Sequence, residues 1–158
     1  MSFTFDKIML TLDGSDIAVQ AAPEAEAIAQ RFGSKLILYT VVEPPTPFQT
    51  AALVVDDRKL IEAGQERRLS EETESARRDL QAFAATLDLP PEQVEIRVGA
   101  SHSPADAIVE FATGNDIDLI VMCSHCRSGL GRAIYGSVGE HVLHHAPCPV
   151  LLVRAACS

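Results

Sequence analysis

Short apolar runs alternate along the chain with longer stretches whose apolar residues recur at helical spacing, and this alternation limits the possible folds. The five apolar runs have the length of buried strands and lie at residues 7–12, 35–42, 93–98, 118–123 and 150–153. The helical stretches lie at residues 18–32, 58–87, 103–114 and in the segment that ends near His145. Buried strands, each followed by an amphipathic helix, predict a doubly wound parallel sheet with helices on both faces.

Capping signals support these helices. Ser15 is placed to cap the first helix, and Gly33 stands where its carboxyl end is expected. Ser103, Pro104 and Asp106 have the spacing of a capping box with proline at the first helical position. The inner side of the long helix is predicted to consist of Leu60, Ile61, Leu69, Ala76, Leu80, Phe83, Ala84 and Leu87.

The length and charge of the chain exclude several classes of protein. Its 158 residues are predicted to form one domain, 1–158. Thirteen basic and 22 acidic residues give a net charge of −9, which disfavours binding to nucleic acid or anionic membranes. No apolar run reaches the roughly 20 residues that span a bilayer, and residues 1–6 do not resemble a signal peptide. We therefore expect a cytoplasmic protein with reduced cysteines.

Parallel sheets of this kind bind ligands beyond the carboxyl ends of their strands, where the strand order reverses. The candidate loops are therefore residues 13–16, 42–55, 99–103 and 123–137. The last loop is rich in small residues, carries Arg127 and Arg132, and precedes a helix, which favours an anion site. It matches neither GxxxxGK[ST] nor GxGxxG, so a tight structural turn remains an alternative.

Five segments of the chain resemble the universal stress protein family over nearly the whole length. They are KIMLTLDGS at 7–15, LYTVV at 38–42, residues 99–104, DLIVM at 118–122 and GSVGEHVLHHAPCPVLLV at 136–153. The resemblance implies a five-stranded parallel sheet of order 3-2-1-4-5, similar to the adenine nucleotide alpha hydrolase fold. It also implies a regulatory protein of the stress response.

The family's nucleotide motif, G-x2-G-x9-G-[ST], falls on Cys123, Cys126, Gly136 and Ser137. The last two positions match, whereas cysteines replace both leading glycines. If those glycines had positive φ, each cysteine would cost about 1 kcal/mol. Two such penalties would weaken nucleotide binding roughly thirtyfold.

The resemblance nevertheless implies a site for ATP or AMP, with Mg²⁺ or Mn²⁺ accompanying ATP. Asp13 and Val41 stand where the family holds adenine, and Thr11 stands beside the ribose. Gly136 and Ser137 would contact phosphate. The complete predicted set is Thr11, Asp13, Val41, Gly99, Cys123, His125, Cys126, Arg127, Gly136 and Ser137.

Cys123 and Cys126 also form a CxxC, which leaves a thiol-redox site as an alternative. A zinc site is disfavoured because the last helix carries His144 and His145 away from Cys123, which leaves fewer than four ligands. No nucleophile elbow G-x-S-x-G occurs, and no general base is evident, so we predict no catalytic residue and at most weak ATP hydrolysis.

Residues 150–153, with the sequence VLLV, form an apolar strand at the predicted edge of the sheet. Such an edge favours pairing with a second copy, and the resemblance implies a homodimer formed through this strand. A dimeric interaction module that binds no nucleotide is therefore the alternative function.

Overall fold

The computed structural model describes residues 4–46, 58–124 and 136–156, and strands and helices alternate through them as predicted. The strands are β1 (Lys7–Thr11), β2 (Lys35–Val42), β3 (Val94–Ala100), β4 (Leu119–Ser124) and β5 (Val150–Arg154). The α-helices are α1 (Ala22–Phe32), α2 (Arg58–Ala84), α3 (Pro104–Gly114) and α4 (Ser137–His145). Short 3-10 helices, Ala18–Ala21 and Pro91–Gln93, precede α1 and β3.

The five strands form one parallel sheet in the order β3-β2-β1-β4-β5, which confirms the fold class and the strand order. Ile8 at the centre of the sheet pairs with Leu36 on one side and with Leu119 on the other. The chain runs outward from β1 to β3 and then returns to β4. The carboxyl ends of β1 and β4 therefore form the switch point at which such sheets bind ligands.

The sheet is covered on both faces, because successive side chains of a strand point to opposite sides. One face packs against α1 and α2, through alanines such as Ala25 and through Leu80. The other face packs against α3 and α4, through Ile108, Ala112 and Val142. Two separate apolar layers therefore fix two helices on each face of the sheet.

The first α-helix begins later than predicted. It begins at Ala22, after a 3-10 turn, with Pro23 in its first turn. Proline has no N–H and clashes inside a helix, so Pro23 is tolerated only in that first turn. The predicted cap is therefore wrong for the α-helix: Ser15 Oγ accepts from the N–H of Ala18 in the 3-10 turn instead, at 3.2 Å. The left-handed φ of 67° at Gly33 confirms the predicted carboxyl end.

The long helix α2 is less buried than its sequence predicts. Leu80 is its one fully buried residue, whereas Leu60, predicted to face inward, is 62% exposed. A helix of 27 residues is about 40 Å long, while the seven residues of β3 span about 23 Å. The amino-terminal part of α2 therefore extends beyond the sheet, and most of its side chains stay exposed.

Helix α3 begins as predicted, but its capping box is incomplete. Ser103 Oγ accepts from the N–H of Asp106 at 3.5 Å, and Pro104 occupies the first turn. The reciprocal bond is different, because the N–H of Ser103 donates to Ser101 Oγ at 3.0 Å. The carboxylate of Asp106 instead accepts from the Ser103 hydroxyl at 2.6 Å.

Candidate functional site

A cleft with a volume of about 320 Å³ opens at the switch point between β1 and β4. This is within the size range of small-molecule sites, and its lining is mostly apolar, as is usual for them. The described residues that line it come from four strand ends, from the turn and 3-10 helix after β1, and from the amino-terminal turns of α3 and α4. They are Thr11, Leu12, Asp13, Ala18, Tyr39, Thr40, Val41, Pro104, Ile108, Met122, Cys123, Ser124, Gly136, Ser137, Val138, Gly139 and Leu152.

Three residues predicted to bind the base and the ribose line the cleft. Thr11 ends β1, Asp13 follows in the next turn, and Val41 lies near the end of β2. Asp13 Oδ1 accepts from both the N–H and the hydroxyl of Ser15, at 2.9 and 2.6 Å, which fixes the carboxylate. Gly14 has a φ of 80°, which glycine adopts at low cost, and this turn brings Asp13 to the cleft.

The amino-terminal end of α4 lies at the cleft, and its N-cap residue makes no side-chain hydrogen bond to the backbone amides. Gly136 is the N-cap residue and provides no side-chain acceptor, and Ser137 is the first helical residue. At α3, by contrast, Ser103 supplies this acceptor. The first N–H groups of a helix have no partner within the helix and carry partial positive charge. The end of α4 at Gly136 and Ser137 is therefore suited to bind an anion.

Cys123 does not strain the site in the way the sequence suggested. It lies within β4, and among the described residues Asp116 is the one non-glycine with positive φ. The conditional penalty of about 1 kcal/mol is therefore wrong for Cys123. Its side chain packs in the apolar layer beneath α1, where it is 8% exposed.

The environment of Cys123 also disfavours the thiol-redox alternative. Burial raises the pKa of this thiol, and the acidic groups Glu24 and Asp13 raise it further. Reactive cysteines require the opposite shift, because the thiolate is the nucleophile. Cys123 therefore has the surroundings of a structural cysteine.

Gly99 lies outside the lining of the cleft and accommodates a neighbouring side chain. A Cβ at Gly99 would overlap the hydroxyl of Tyr39 on the adjacent strand. Tyr39 stacks on Phe111 with ring centroids 4.4 Å apart, and its hydroxyl donates to the carbonyl of Ala107 at 3.4 Å. Burial, with Glu110, raises the pKa of Tyr39, which keeps it neutral beneath the cleft.

Four residues that the sequence analysis singled out, His125, Cys126, Arg127 and Arg132, lie outside the described residues. No group of three or more histidine, cysteine or acidic side chains that could hold a metal occurs in the described ranges. The described lining of the cleft carries one charged residue, Asp13.

Several lining residues were not predicted from the sequence. The sequence predicts only that Tyr39, Met122 and Leu152 are buried in strands. Two-residue periodicity also places them on one face of the sheet. Pro104 and Ile108 line the cleft from the amino-terminal part of α3, which packs on one face of the sheet. No local sequence signal distinguishes such a helix position from an ordinary core position.

Within the described ranges, no helix has both the length and the apolar character needed to cross a membrane.

The fold and the cleft define the class: a doubly wound α/β protein with an open cleft at its switch point. A sequence model of the universal stress protein family matches residues 4–154. The chain therefore belongs to the universal stress protein family.

Relatives of known sequence match nearly the whole chain. The universal stress protein encoded beside the QAH/OAS sulfhydrylase gene of Thermus aquaticus is 35% identical over 150 residues, covering 95% of this chain and 99% of that protein. Universal stress protein MJ0531 of Methanocaldococcus jannaschii is 33% identical over 150 residues, with 95% and 82% covered.

Solved structures of the family have the same fold. UspA of Lactobacillus plantarum superposes with a TM-score of 0.68 at 26% identity, covering 97% of this chain and all of that one. A universal stress protein solved in complex with cAMP has a TM-score of 0.59 at 25% identity, covering 96% and 98%.

Proposed function

We propose that this protein is a stress-response regulator that binds an adenine nucleotide, ATP or AMP, in the cleft at the switch point. One observation carries the proposal: Thr11, Asp13, Val41, Gly136 and Ser137, from separate parts of the chain, line a single cleft. The cAMP complex of a family member supports an adenine nucleotide as the class of ligand.

The two ends of the cleft suit different parts of such a ligand. Asp13 and Val41 provide a carboxylate acceptor and an apolar surface for the base, and Thr11 borders the ribose. Gly136 leaves space for a phosphate to approach the first amides of α4, and the Ser137 hydroxyl adds a hydrogen-bond donor. Mg²⁺ or Mn²⁺ would accompany ATP through its phosphate oxygens, the ligands that Mg²⁺ prefers.

The two cysteines are expected to weaken nucleotide binding less than the sequence alone suggested. Cys123 lies in an extended strand and packs into the core, so its substitution for glycine has no φ penalty. If Cys126 costs about 1 kcal/mol, nucleotide binding is weakened about fivefold rather than thirtyfold.

Titration calorimetry with ATP, AMP and cAMP tests the proposal, together with mass spectrometry of any nucleotide that copurifies. Asp13→Asn keeps the acceptor for Ser15 but removes the charge, and we expect about tenfold weaker binding. Asp16→Asn, in the same turn but outside the lining of the cleft, is the matched control. No heat with millimolar nucleotide and no copurified nucleotide would refute the proposed function.

The geometry gives no support for hydrolysis as the main activity. The described residues that line the cleft include no histidine, lysine or arginine. We therefore propose a binding protein with at most weak ATP hydrolysis and assign no catalytic residue.

We also propose that the protein is cytoplasmic and forms a homodimer through β5, which lies at one edge of the sheet. A dimeric interaction module without a nucleotide is the second candidate function, and this apolar edge favours it. A dimer that binds nucleotide would support both candidate functions. A dimer that binds no nucleotide would support only the second, the interaction module.

A further inference from the structure

The amino-terminal turns of α3 and α4 flank the same cleft, and a pair of polar side chains among the described residues adds a contact outside it to the apolar packing of the two helices. Pro104 and Ile108 of α3 and Gly139 of α4 line the cleft. His141 Nε2 lies 2.8 Å from Asp106 Oδ1. Because a carboxylate only accepts hydrogen bonds, the ring nitrogen is the donor in this pair.

Each residue of this Asp106–His141 bridge makes a further contact that fixes its side chain. Asp106 Oδ2 accepts from the Ser103 hydroxyl at 2.6 Å. The His141 ring stacks on His145 with centroids 4.2 Å apart, and His145 Nδ1 donates to the His141 carbonyl at 2.8 Å. Fixed side chains lose less conformational entropy on pairing, so the bridge is more than a chance contact of two exposed groups.

Three elements at this packing contact carry the other charged or titratable groups. They are Glu110 on α3, Glu140, His144 and His145 on α4 itself, and Arg154 at the end of β5 on the face that α4 covers. Among the described residues, Asp106 is the acidic partner of His141.

We propose that Asp106 and His141 are positioning residues for the nucleotide cleft: their bridge holds the amino-terminal ends of α3 and α4 together, and protonation of the imidazole strengthens it. The inference rests on the proposed function, because the ligand of the cleft is the adenine nucleotide.

The direction of the pH response follows from the two charges. Protonation of the imidazole adds a charge–charge attraction to a hydrogen bond that the ionised carboxylate already accepts, and imidazole is the side chain whose charge can change between about pH 8 and about pH 6. The Ser103 hydroxyl, followed by His141, lowers the pKa of Asp106 against the effect of desolvation, so the carboxylate stays ionised. Nucleotide affinity is therefore expected to rise as the pH falls from about 8 to about 6.

Calorimetry with ATP and Mg²⁺ at about pH 8 and about pH 6 tests this coupling in the full-length protein. The variants are Asp106→Asn, His141→Gln and, as the matched control on the same helix, His144→Gln. The change in affinity of each variant between the two pH values is compared with that of the wild type. This comparison cancels the protonation of ATP itself and the attraction of phosphate to other histidines.

We expect the wild type and His144→Gln to gain about threefold more affinity on acidification than Asp106→Asn and His141→Gln, as suits a half-exposed pair. Equal pH dependence in all four proteins would overturn this inference and leave the proposed function intact. ATP binding at neither pH would overturn both. Circular dichroism checks folding, and either bridge variant suffices if the other does not fold.

Discussion

At the scale of single residues, side-chain size matters at two positions, because neighbouring side chains pack closely against both. Gly99 leaves space for the hydroxyl of Tyr39, and Cys123 fills a place in the apolar layer beneath α1. Both residues attract attention in the sequence as parts of a ligand site. In the structure Gly99 lies outside the lining of the cleft, whereas Cys123 lines it and also packs into the core, and local sequence patterns reveal neither packing role.

Gly99→Ala is expected to destabilise the protein by about 1–3 kcal/mol, because the new Cβ overlaps the Tyr39 hydroxyl and forces the ring to shift. Gly64→Ala is the matched control, since nothing lies within 4 Å of the Cβ added in α2. That change is expected to stabilise the protein by about 1 kcal/mol through helix propensity. Urea unfolding measures both, and a neutral Gly99→Ala would contradict the packing role of this glycine.

Cys123 is expected to react slowly with iodoacetamide at neutral pH. Burial raises the pKa of its thiol above the ordinary 9.0, so the reactive thiolate is scarcer at pH 7 than in an exposed cysteine. The labelling rate should rise as the pH increases through the alkaline range. Mass spectrometry of the peptide measures the rate, with urea-unfolded protein as the control. Faster labelling in the folded protein would revive the thiol-redox alternative.

At the scale of helices and strands, the contrast between two helix ends explains where an anion can bind. Ser103 caps α3, whereas Gly136, the N-cap residue of α4, has no side chain that could accept from the first amides. The sequence predicted the capped end from its S-P-x-D pattern. The sequence also predicted Gly136 and Ser137 at the start of a helix. Only the fold shows that this amino-terminal end of α4 opens into the cleft.

Ser103→Ala is expected to cost about 1 kcal/mol, because the N–H of Asp106 loses its acceptor. Thr113→Ala on the same helix also removes a hydroxyl, but that group only donates to the carbonyl of Val109. We expect no measurable loss there, since alanine is the better helix former. Thermal unfolding compares the two variants, and equal losses would contradict the capping role.

Element boundaries were harder to predict than element types. The strand and helix order follows from periodicity, since buried runs of four to eight apolar residues alternate with amphipathic stretches. The start of α1 was misplaced because the apolar period continues through Ala18 and Ala21, which form a 3-10 turn. The outward position of Leu60 depends on how far the sheet extends beneath α2, which is a property of the assembled fold.

At the scale of the whole molecule, edge strand β5 is the surface through which we expect two copies to pair. Ile120 N–H donates to the Pro149 carbonyl at 3.0 Å, so the amide of the same peptide unit, at Val150, points away from β4. The amide of Leu152 points the same way, since strand geometry repeats every two residues. These outward groups would form the ladder of a dimer.

Sedimentation at micromolar concentration is expected to show a dimer, and hydrogen exchange is expected to show slow exchange at the Val150 and Leu152 amides. The edge strand β3 provides the internal comparison, because Glu95 and Arg97 give it charged side chains of the kind that discourage edge pairing. A monomer with rapidly exchanging β5 amides would contradict the dimer and weaken the second candidate function.

The central claim, that the cleft binds an adenine nucleotide, is tested most directly by mapping backbone amide chemical shifts while ATP is added. The largest changes are expected at Thr11, Asp13, Val41, Gly136 and Ser137. Changes confined to the groove between Pro44, Leu69 and His102, or no changes at millimolar ATP, would contradict it.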